Sequence, residues 1–296
     1  MLTCKTNQVE VRAMMIVENT AKLTPAEVED YRTRGYHPRV RALEPQAASG
    51  LCKKFLSYVD QNEAELQKLL PRQKLGFFIE THLFLTWVYG LVSHPRVLDA
   101  VESVLGPDIM VWNSHWFPKF PGDGAYVSWH QDAAYWGLTP ANVTTAWIAL
   151  SESTTENGCM RVIPESHRAS LPQRETYAPD NMLSRGQEIA VDVDEAQAVE
   201  MPLHPGEFSL HHIGIVHGSG PNQSQFPRIG IAVRYISPDV VQSSSQRDLI
   251  VLVRGEDKYG HFDLAEPPQK DSAYGESAAH RDAMERKVRN QVTGRQ

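Results

Sequence analysis

A chain of 296 residues is long enough to bury a substantial core, and we read it as a single domain over residues 1–296. Its 29 basic and 36 acidic side chains leave a formal charge of -7 with no basic cluster. That excludes a nucleic-acid footprint and argues mainly for solubility. Cys4, Cys52 and Cys159 lack the close spacing of a zinc knuckle or redox pair, so they read as free thiols of a reducing compartment. The N-terminus has no basic segment followed by a continuous apolar core. The most apolar stretch, Phe77 to Val92, is short for a bilayer and carries Glu80 and His82. A cytoplasmic protein with no membrane partner is the expectation, and the sequence sets no oligomeric state.

The N-terminal third, residues 24–106, reads as helical. Thr24 followed by Pro25, with Glu27 three residues on, marks a helix start, and Gly35 a stop. Ala47 to Leu70 carries apolar residues near helical spacing and should end at Pro71. Further helices are expected over Leu83 to Leu91 and over Pro95 to Leu105, the latter capped by Gly106.

From Ile109 the pattern changes to short β-prone runs separated by Gly, Pro and Asn. These are Ile109 to Phe117, Tyr126 to Asp132, Val143 to Ser151, Cys159 to Pro164, Glu207 to Val216 and Arg228 to Ile236. Strands so spaced argue for a sandwich or barrel. The expected fold is therefore α+β, a double-stranded β-helix of the jelly-roll or cupin-like kind over residues 109–237, with the helices packed outside. Residues 171–198, rich in Arg, Asp, Glu and Gln, read as a lid-like insertion. A C-terminal extension, residues 240–296, should close with a helix from Glu276 to Arg289.

Within the second run, His130 and Asp132 stand two residues apart. In a strand they would share a face and could grip one cation. Any single strand histidine is more often a hydrogen-bonded core residue. A buried carboxylate on the same face, however, demands a cation or several donors. A third ligand must come from elsewhere, and Leu210-His-His-Ile-Gly-Ile-Val-His-Gly-Ser-Gly offers His211 and His217, which parity would put on one strand face. Spacing alone does not choose between them. Two histidines and one carboxylate with open positions is the arrangement of non-haem Fe(II) oxygenases.

The set His130-Gln-Asp132, His217 and Arg228, with Val143 to Ser151 and Glu156 to His167 between, resembles the phytanoyl-CoA dioxygenase type of iron- and 2-oxoglutarate-dependent dioxygenases. The resemblance runs from about Gly35 to Tyr235. It implies His130, Asp132 and His217 as the catalytic Fe(II) ligands, with His217 preferred for its place before Gly218-Ser-Gly and ahead of Arg228. It also implies 2-oxoglutarate and O2 as co-substrates. The distal carboxylate of 2-oxoglutarate would pair with the guanidinium fork of Arg228. Arg234, on the same strand face by parity, is a lesser candidate for that role. Ser219 would add a hydrogen bond and Trp147 a wall.

With Asp132 present, hydroxylation or a related oxidation is implied, coupled to decarboxylation of 2-oxoglutarate to succinate and CO2. The substrate would be a small molecule such as an amino acid, an aminophosphonate or a natural-product intermediate. Tyr135 and Asn181 are candidates to meet it, against bland readings as packing and loop residues. The competing reading is a non-oxidative, cupin-like metal-binding or sensor module, which leaves Arg228 without a role. A zinc hydrolase would need a local motif such as His-Glu-x-x-His, which the chain does not supply.

Overall fold

The computed structural model describes residues 20–68, 77–244 and 246–293. The first helix, α1 (Pro25–Arg34), forms where its end signals stand. Thr24 and Glu27 cap each other's backbone, Pro25 occupies the first turn, and Gly35 closes the helix in the left-handed region at φ 83°. A side chain at Gly35 would also collide with the His167 ring, 2.4 Å from Nδ1. The expected Ala47–Leu70 helix is broken at Asn62 into α2 (Pro45–Gln61) and α3 (Glu63–Lys68); its end at Leu69 to Pro71 lies outside the described residues, as does Cys4. A 3-10 turn at Thr81–Leu83 precedes α4 (Thr86–Val92), so this helix starts later than expected, and α5 (Pro95–Leu105) ends at Gly106.

In chain order the strands are β1 (Tyr36–Arg41), β2 (Ile109–Trp116), β3 (Val127–His130), β4 (Leu138–Thr139), β5 (Val143–Ala149), β6 (Met160–Ile163), β7 (Gln173–Glu175), β8 (Gln187–Ile189), β9 (Val199–Met201), β10 (Glu207–His212), β11 (Val216–Ser219), β12 (Gly230–Ile236), β13 (Val241–Gln242), β14 (Leu249–Arg254) and β15 (Asp263–Leu264). The larger sheet has the order β1-β10-β5-β12-β2-β14-β15, and the smaller β3-β11-β6-β9. Two expectations about segment roles change here. The helical third contributes β1, paired with β10, and the C-terminal extension contributes β14, paired with β2. Both ends of the chain thus help build the large sheet.

Alternation along the central strands assigns their two faces. Ile231, Val233 and Tyr235 of β12, with Ala146 and Ile148 of β5, join one apolar cluster with Leu51 and Phe55 of α2, Val88 of α4 and Val97 of α5. The intervening residues Ala232, Trp147 and Ala149 cluster instead with Phe117 and Leu203. One face therefore carries the helices and the other lines the interior, which is why β5 and β12 are buried along their whole length.

The expected strand from Glu207 to Val216 is in fact two. Chain turning at Ile213 to Ile215 sends β10 into the large sheet and β11 into the small one. His211 and His217 consequently face each other from different sheets, and the parity that made them equivalent does not apply. The 171–198 insertion holds the β7–β8 hairpin and a 3-10 turn at Glu195–Gln197. It is fastened beside β3, where Ser128 donates to the Gln187 carbonyl and Trp129 Nε1 donates to Glu195 at 3.1 Å. The last helix, α7 (Ala278–Thr293), lies close to its expected place. No helix among the described residues is long and apolar enough to cross a membrane.

Candidate metal centre

His130 and His217 are directly opposed in the β3–β11 ladder of the smaller sheet. Asp132 reaches the same point by a different route from that expected. The strand stops at His130, and Asp132 has helical backbone angles at the start of α6 (Ala133–Trp136). What turns the chain is Gln131, a buried residue that sequence reasoning passed over. Its side-chain amide donates to the carbonyls of Ala169 (2.7 Å) and Gly214 (2.6 Å), and its Oε1 accepts from Leu171 N (2.8 Å). Five distant residues hold it, since the amide also donates to Ser166 O at 3.3 Å and Gln173 bonds its main chain at both N and O. With the turn fixed, ligand atoms of His130, Asp132 and His217 lie within 4.8 Å of one another, all buried.

The protonation pattern shows what this cluster lacks. His130 Nδ1 meets the Ser128 carbonyl at 2.9 Å and His217 Nδ1 meets the Ile215 carbonyl at 3.0 Å. A carbonyl only accepts, so each Nδ1 carries the proton and each Nε2 presents a lone pair in the neutral ring. His130 Nε2 then faces Asp132 Oδ1 at 3.4 Å, and the other carboxylate oxygen is buried without a partner. A buried carboxylate and two imidazole nitrogens at such range are held together by positive charge, which a bound metal ion would supply.

Burial pushes the His217 imidazole down to about 4, with His130 beside it adding to the effect, so His217 is a neutral donor at ordinary pH. Burial alone would raise the Asp132 carboxyl. The His130 contact, then His217 and Arg234, outweigh it and hold the group ionised. The donor set and its charge state fit a ferrous ion and leave coordination positions for other ligands.

The cavity beside this cluster opens to solvent and is lined at one end by His130, His217 and His211, and at the other by Ser219 and Arg228 with Trp147 as wall. Arg228 is 2% exposed. Its guanidinium donates to the Gly158 carbonyl and, at 3.0 Å, to that of Phe117; Nε has no partner. The Trp147 ring lies 5.1 Å from the guanidinium carbon, and Gly230 makes that stacking possible, since a Cβ there would lie 2.4 Å from the indole. A buried guanidinium with spare donors and no carboxylate partner among the described residues is built to receive one.

Lys119, also missed, is fully buried behind Ser219. Its ammonium donates to Ser219 Oγ (2.6 Å), Ser219 O (3.2 Å) and Gly220 O. Burial, then the nearby Arg228 charge, pushes it down to about 6, while three acceptors at one nitrogen favour the charged form. Its run, Trp116-Phe-Pro-Lys-Phe, was legible as a lysine in an apolar setting.

Other candidates fall elsewhere. Half-buried Tyr135 lies on α6 beneath the Arg185 guanidinium, 5.1 Å from its ring, and Arg185 pairs with Glu175 at 2.7 Å. Asn181 is buried, but its side chain is occupied by Ser128 Oγ (2.8 Å) and Leu183 N (3.2 Å). Neither lines the cavity. The expected strand from Arg228 begins only at Gly230, Arg228 making an isolated bridge to Lys119 before it, and Arg234 of β12 does line the cavity, at the metal-cluster end.

Residues 23–230 match the family model for phytanoyl-CoA dioxygenase (PhyH). The chain is 32% identical over 184 residues to a probable alpha-ketoglutarate-dependent hypophosphite dioxygenase of Stutzerimonas stutzeri, the match covering 61% of this chain and 62% of that protein. It is 29% identical over 164 residues to the peroxisomal phytanoyl-CoA dioxygenase of Homo sapiens, covering 52% and 48% respectively. These matches thus span about half to three-fifths of the curated relatives' length. The solved structure of the non-heme monooxygenase ThoJ, in its apo form, superposes with a TM-score of 0.75 at 35% identity, covering 90% of this chain and 96% of ThoJ. With the family match extending over most of the described fold and enclosing every residue of the metal cluster, this chain belongs to the phytanoyl-CoA dioxygenase family.

Proposed function

We propose that the protein is an Fe(II)- and 2-oxoglutarate-dependent oxygenase that hydroxylates or otherwise oxidises a small-molecule metabolite. The observation that carries this reading is the conjunction of two buried sites in one cavity. One is a cluster of lone pairs and a carboxylate short of a cation, the other a guanidinium short of a carboxylate. A metal-binding module would account for the first and leave the second unexplained.

In this reading His130 and His217 hold the metal through Nε2, each ring locked by its Nδ1–H bond to a backbone carbonyl, and Asp132 supplies the charged ligand. Bound iron and 2-oxoglutarate supply the oxygen chemistry, with the co-substrate decarboxylated to succinate and CO2. Arg228 pairs with the far carboxylate of 2-oxoglutarate, Ser219 adds a hydroxyl steadied by Lys119, and Trp147 closes one side against water. Gln131 acts through Asp132 as a positioning residue. The relative from S. stutzeri is named for hypophosphite, and the notion of a small polar substrate accords with it. An amino acid, an aminophosphonate or a natural-product intermediate is the class to screen first.

The test is succinate formation from 2-oxoglutarate by Fe(II)-loaded protein in air, with a substrate panel, alongside calorimetric metal binding. Turnover that His130→Ala and Asp132→Ala both abolish, with metal affinity lost and the fold kept, is the expected result. Folded, iron-loaded protein that stays silent across the panel would favour the binding module.

A further inference from the structure

Across four adjacent strands of the large sheet, one row of residues faces the interior beside the metal cluster. The register sets His211 of β10 opposite Thr145 of β5, Thr145 opposite Arg234 of β12, and Arg234 opposite Asn113 of β2. All four are polar, though the strands around them are apolar. Three carry a buried side-chain atom with no hydrogen-bond partner: His211 Nδ1, Thr145 Oγ1 and Arg234 Nε. Buried polar atoms are rarely left unpaired, and three neighbours in a single row point to a group that the protein itself does not supply.

The environment says what kind of group. Arg234 is 6% exposed and lines the cavity together with His211, whose ring lies 4.7 Å from that of His217. It is stacked near Trp136 and Phe117, at 5.3 Å and 5.7 Å from their rings, and makes no ion pair among the described residues. Its Nη1 bonds Asn113 Oδ1 at 3.1 Å. Asn113 is oriented by Glu80, to which its Nδ2 donates at 2.7 Å, and Glu80 is itself committed to Lys287 of α7 at 3.1 Å. The C-terminal helix therefore fixes the guanidinium through a chain of contacts without neutralising it. Asp132, the other nearby carboxylate, is taken up by the metal cluster.

We propose that the row His211–Thr145–Arg234 is the substrate subsite, and that it selects substrates bearing an anionic oxyacid group, a carboxylate or a phosphorus oxyacid, with Arg234 as the determinant. The subsite rests on the oxygenase reading for its role in turnover, although its anion preference does not. Arg228 precedes β12 and Arg234 lies within it, six residues on, and both line the same cavity. That gives the cavity two cationic ends: one for the co-substrate, one for the molecule to be oxidised.

Calorimetry on protein loaded with Ni(II) and 2-oxoglutarate tests binding without turnover, using methylphosphonate, acetate and neutral acetamide as probes. One or both anions should bind at least tenfold more tightly than acetamide and lose at least tenfold in Arg234→Gln, with partial recovery in Arg234→Lys. Whichever anion binds identifies the oxyacid. Equal binding of acetamide, or anion binding indifferent to Arg234→Gln, overturns the proposal. In turnover, the KM of an anionic substrate should rise at least tenfold more than that of 2-oxoglutarate in Arg234→Gln. An equal rise would assign Arg234 to the co-substrate instead. Failure of succinate formation with anion binding intact would sink the oxygenase reading and leave the subsite standing; the reverse pattern would do the opposite. Thr145→Val provides a milder variant should Arg234→Gln fail to fold, with a twofold to tenfold weakening of the same probe expected and no change counting against the row.

Discussion

Replacing Arg228 tests the cavity's far end quantitatively. The guanidinium spends one Nη1 hydrogen on Gly158 O and one Nη2 hydrogen on Phe117 O, and Nε is buried with no partner. Three N–H donors therefore remain, enough for a two-point grip on a carboxylate. Charge-assisted hydrogen bonds contribute about 1.5–3 kcal/mol each. Two at the lower end give about 3 kcal/mol, or roughly 150-fold in affinity. Arg228→Gln should weaken 2-oxoglutarate by about that factor. Arg228→Lys keeps the charge but not the fork, and should lose roughly tenfold. Calorimetry of 2-oxoglutarate binding to Mn(II)-loaded protein reads the effect directly, with KM for 2-oxoglutarate as a kinetic check. Metal affinity, measured alone, should move less than threefold, since Arg228 is at the opposite end of the cavity from the ligand cluster. A 2-oxoglutarate affinity unchanged in both variants would refute the assignment, as would equal losses of metal and co-substrate.

Further expectations follow from neighbouring features. Gly158 has φ +75° and a Cβ there would lie 2.2 Å from Gly220 O. Gly158→Ala should therefore destabilise by about 2–4 kcal/mol and raise the 2-oxoglutarate KM, because the two carbonyls it disturbs hold Arg228 and Lys119; an unaltered melting temperature would contradict this. Gln131→Ala removes the group that turns Asp132 towards His130, and should cost metal affinity at least tenfold as read by calorimetry, while Gln131→Glu should not restore it because the carbonyl partners need a donor. Burial pushes His82 down from 6.5 to about 4, against the raising effect of Glu80, so its 3.5 Å contact with that carboxylate involves a neutral ring. The unfolded chain takes up a proton near pH 6.5 and the fold only near 4. This contribution to stability is therefore complete above pH 6.5 and lost as the pH falls to 4, by about 3 kcal/mol at 1.36 kcal/mol per pH unit. Chemical denaturation of metal-free protein across that range should show His82→Asn with a shallower acid decline than the parent, and parallel curves would count against the assignment.

Much of the architecture was legible because local signals and tertiary packing agree. The Thr24–Glu27 capping pair, Gly35 and Gly106 end helices for reasons contained in a few residues, and the α1 and α5 boundaries followed. The single-strand reading of Glu207 to Val216 failed because an apolar run does not reveal which sheet each half joins. Only the turn at Ile213 to Ile215, held by contacts to the distant 166–168 segment such as Val216 N to Ser166 Oγ at 2.8 Å, divides it. The same limit applies to β1 and β14, short runs that become strands because a sheet edge is there to receive them.

The site divides along a related line. His130 and Asp132 could be named because chemically extreme side chains stand out within β-prone sequence, whereas His217 over His211 and the role of Arg228 came only from the family resemblance, and the reason given for Asp132 was wrong in kind. Strand parity would place its carboxylate beside His130 with no help, whereas the strand has already ended and Gln131 supplies the turn. This difference has a physical consequence. Parity is a property of the backbone and survives substitution of neighbours, while a turn held by one amide side chain depends on its distant carbonyl partners. The metal cluster is thus coupled to residues 166–173 and to Gly214, the segments that Gln131 joins. Disturbing Ala169 or Gln173, neither of which belongs to the ligand set, should therefore loosen Asp132 more than His130, whose ring is anchored within its own strand.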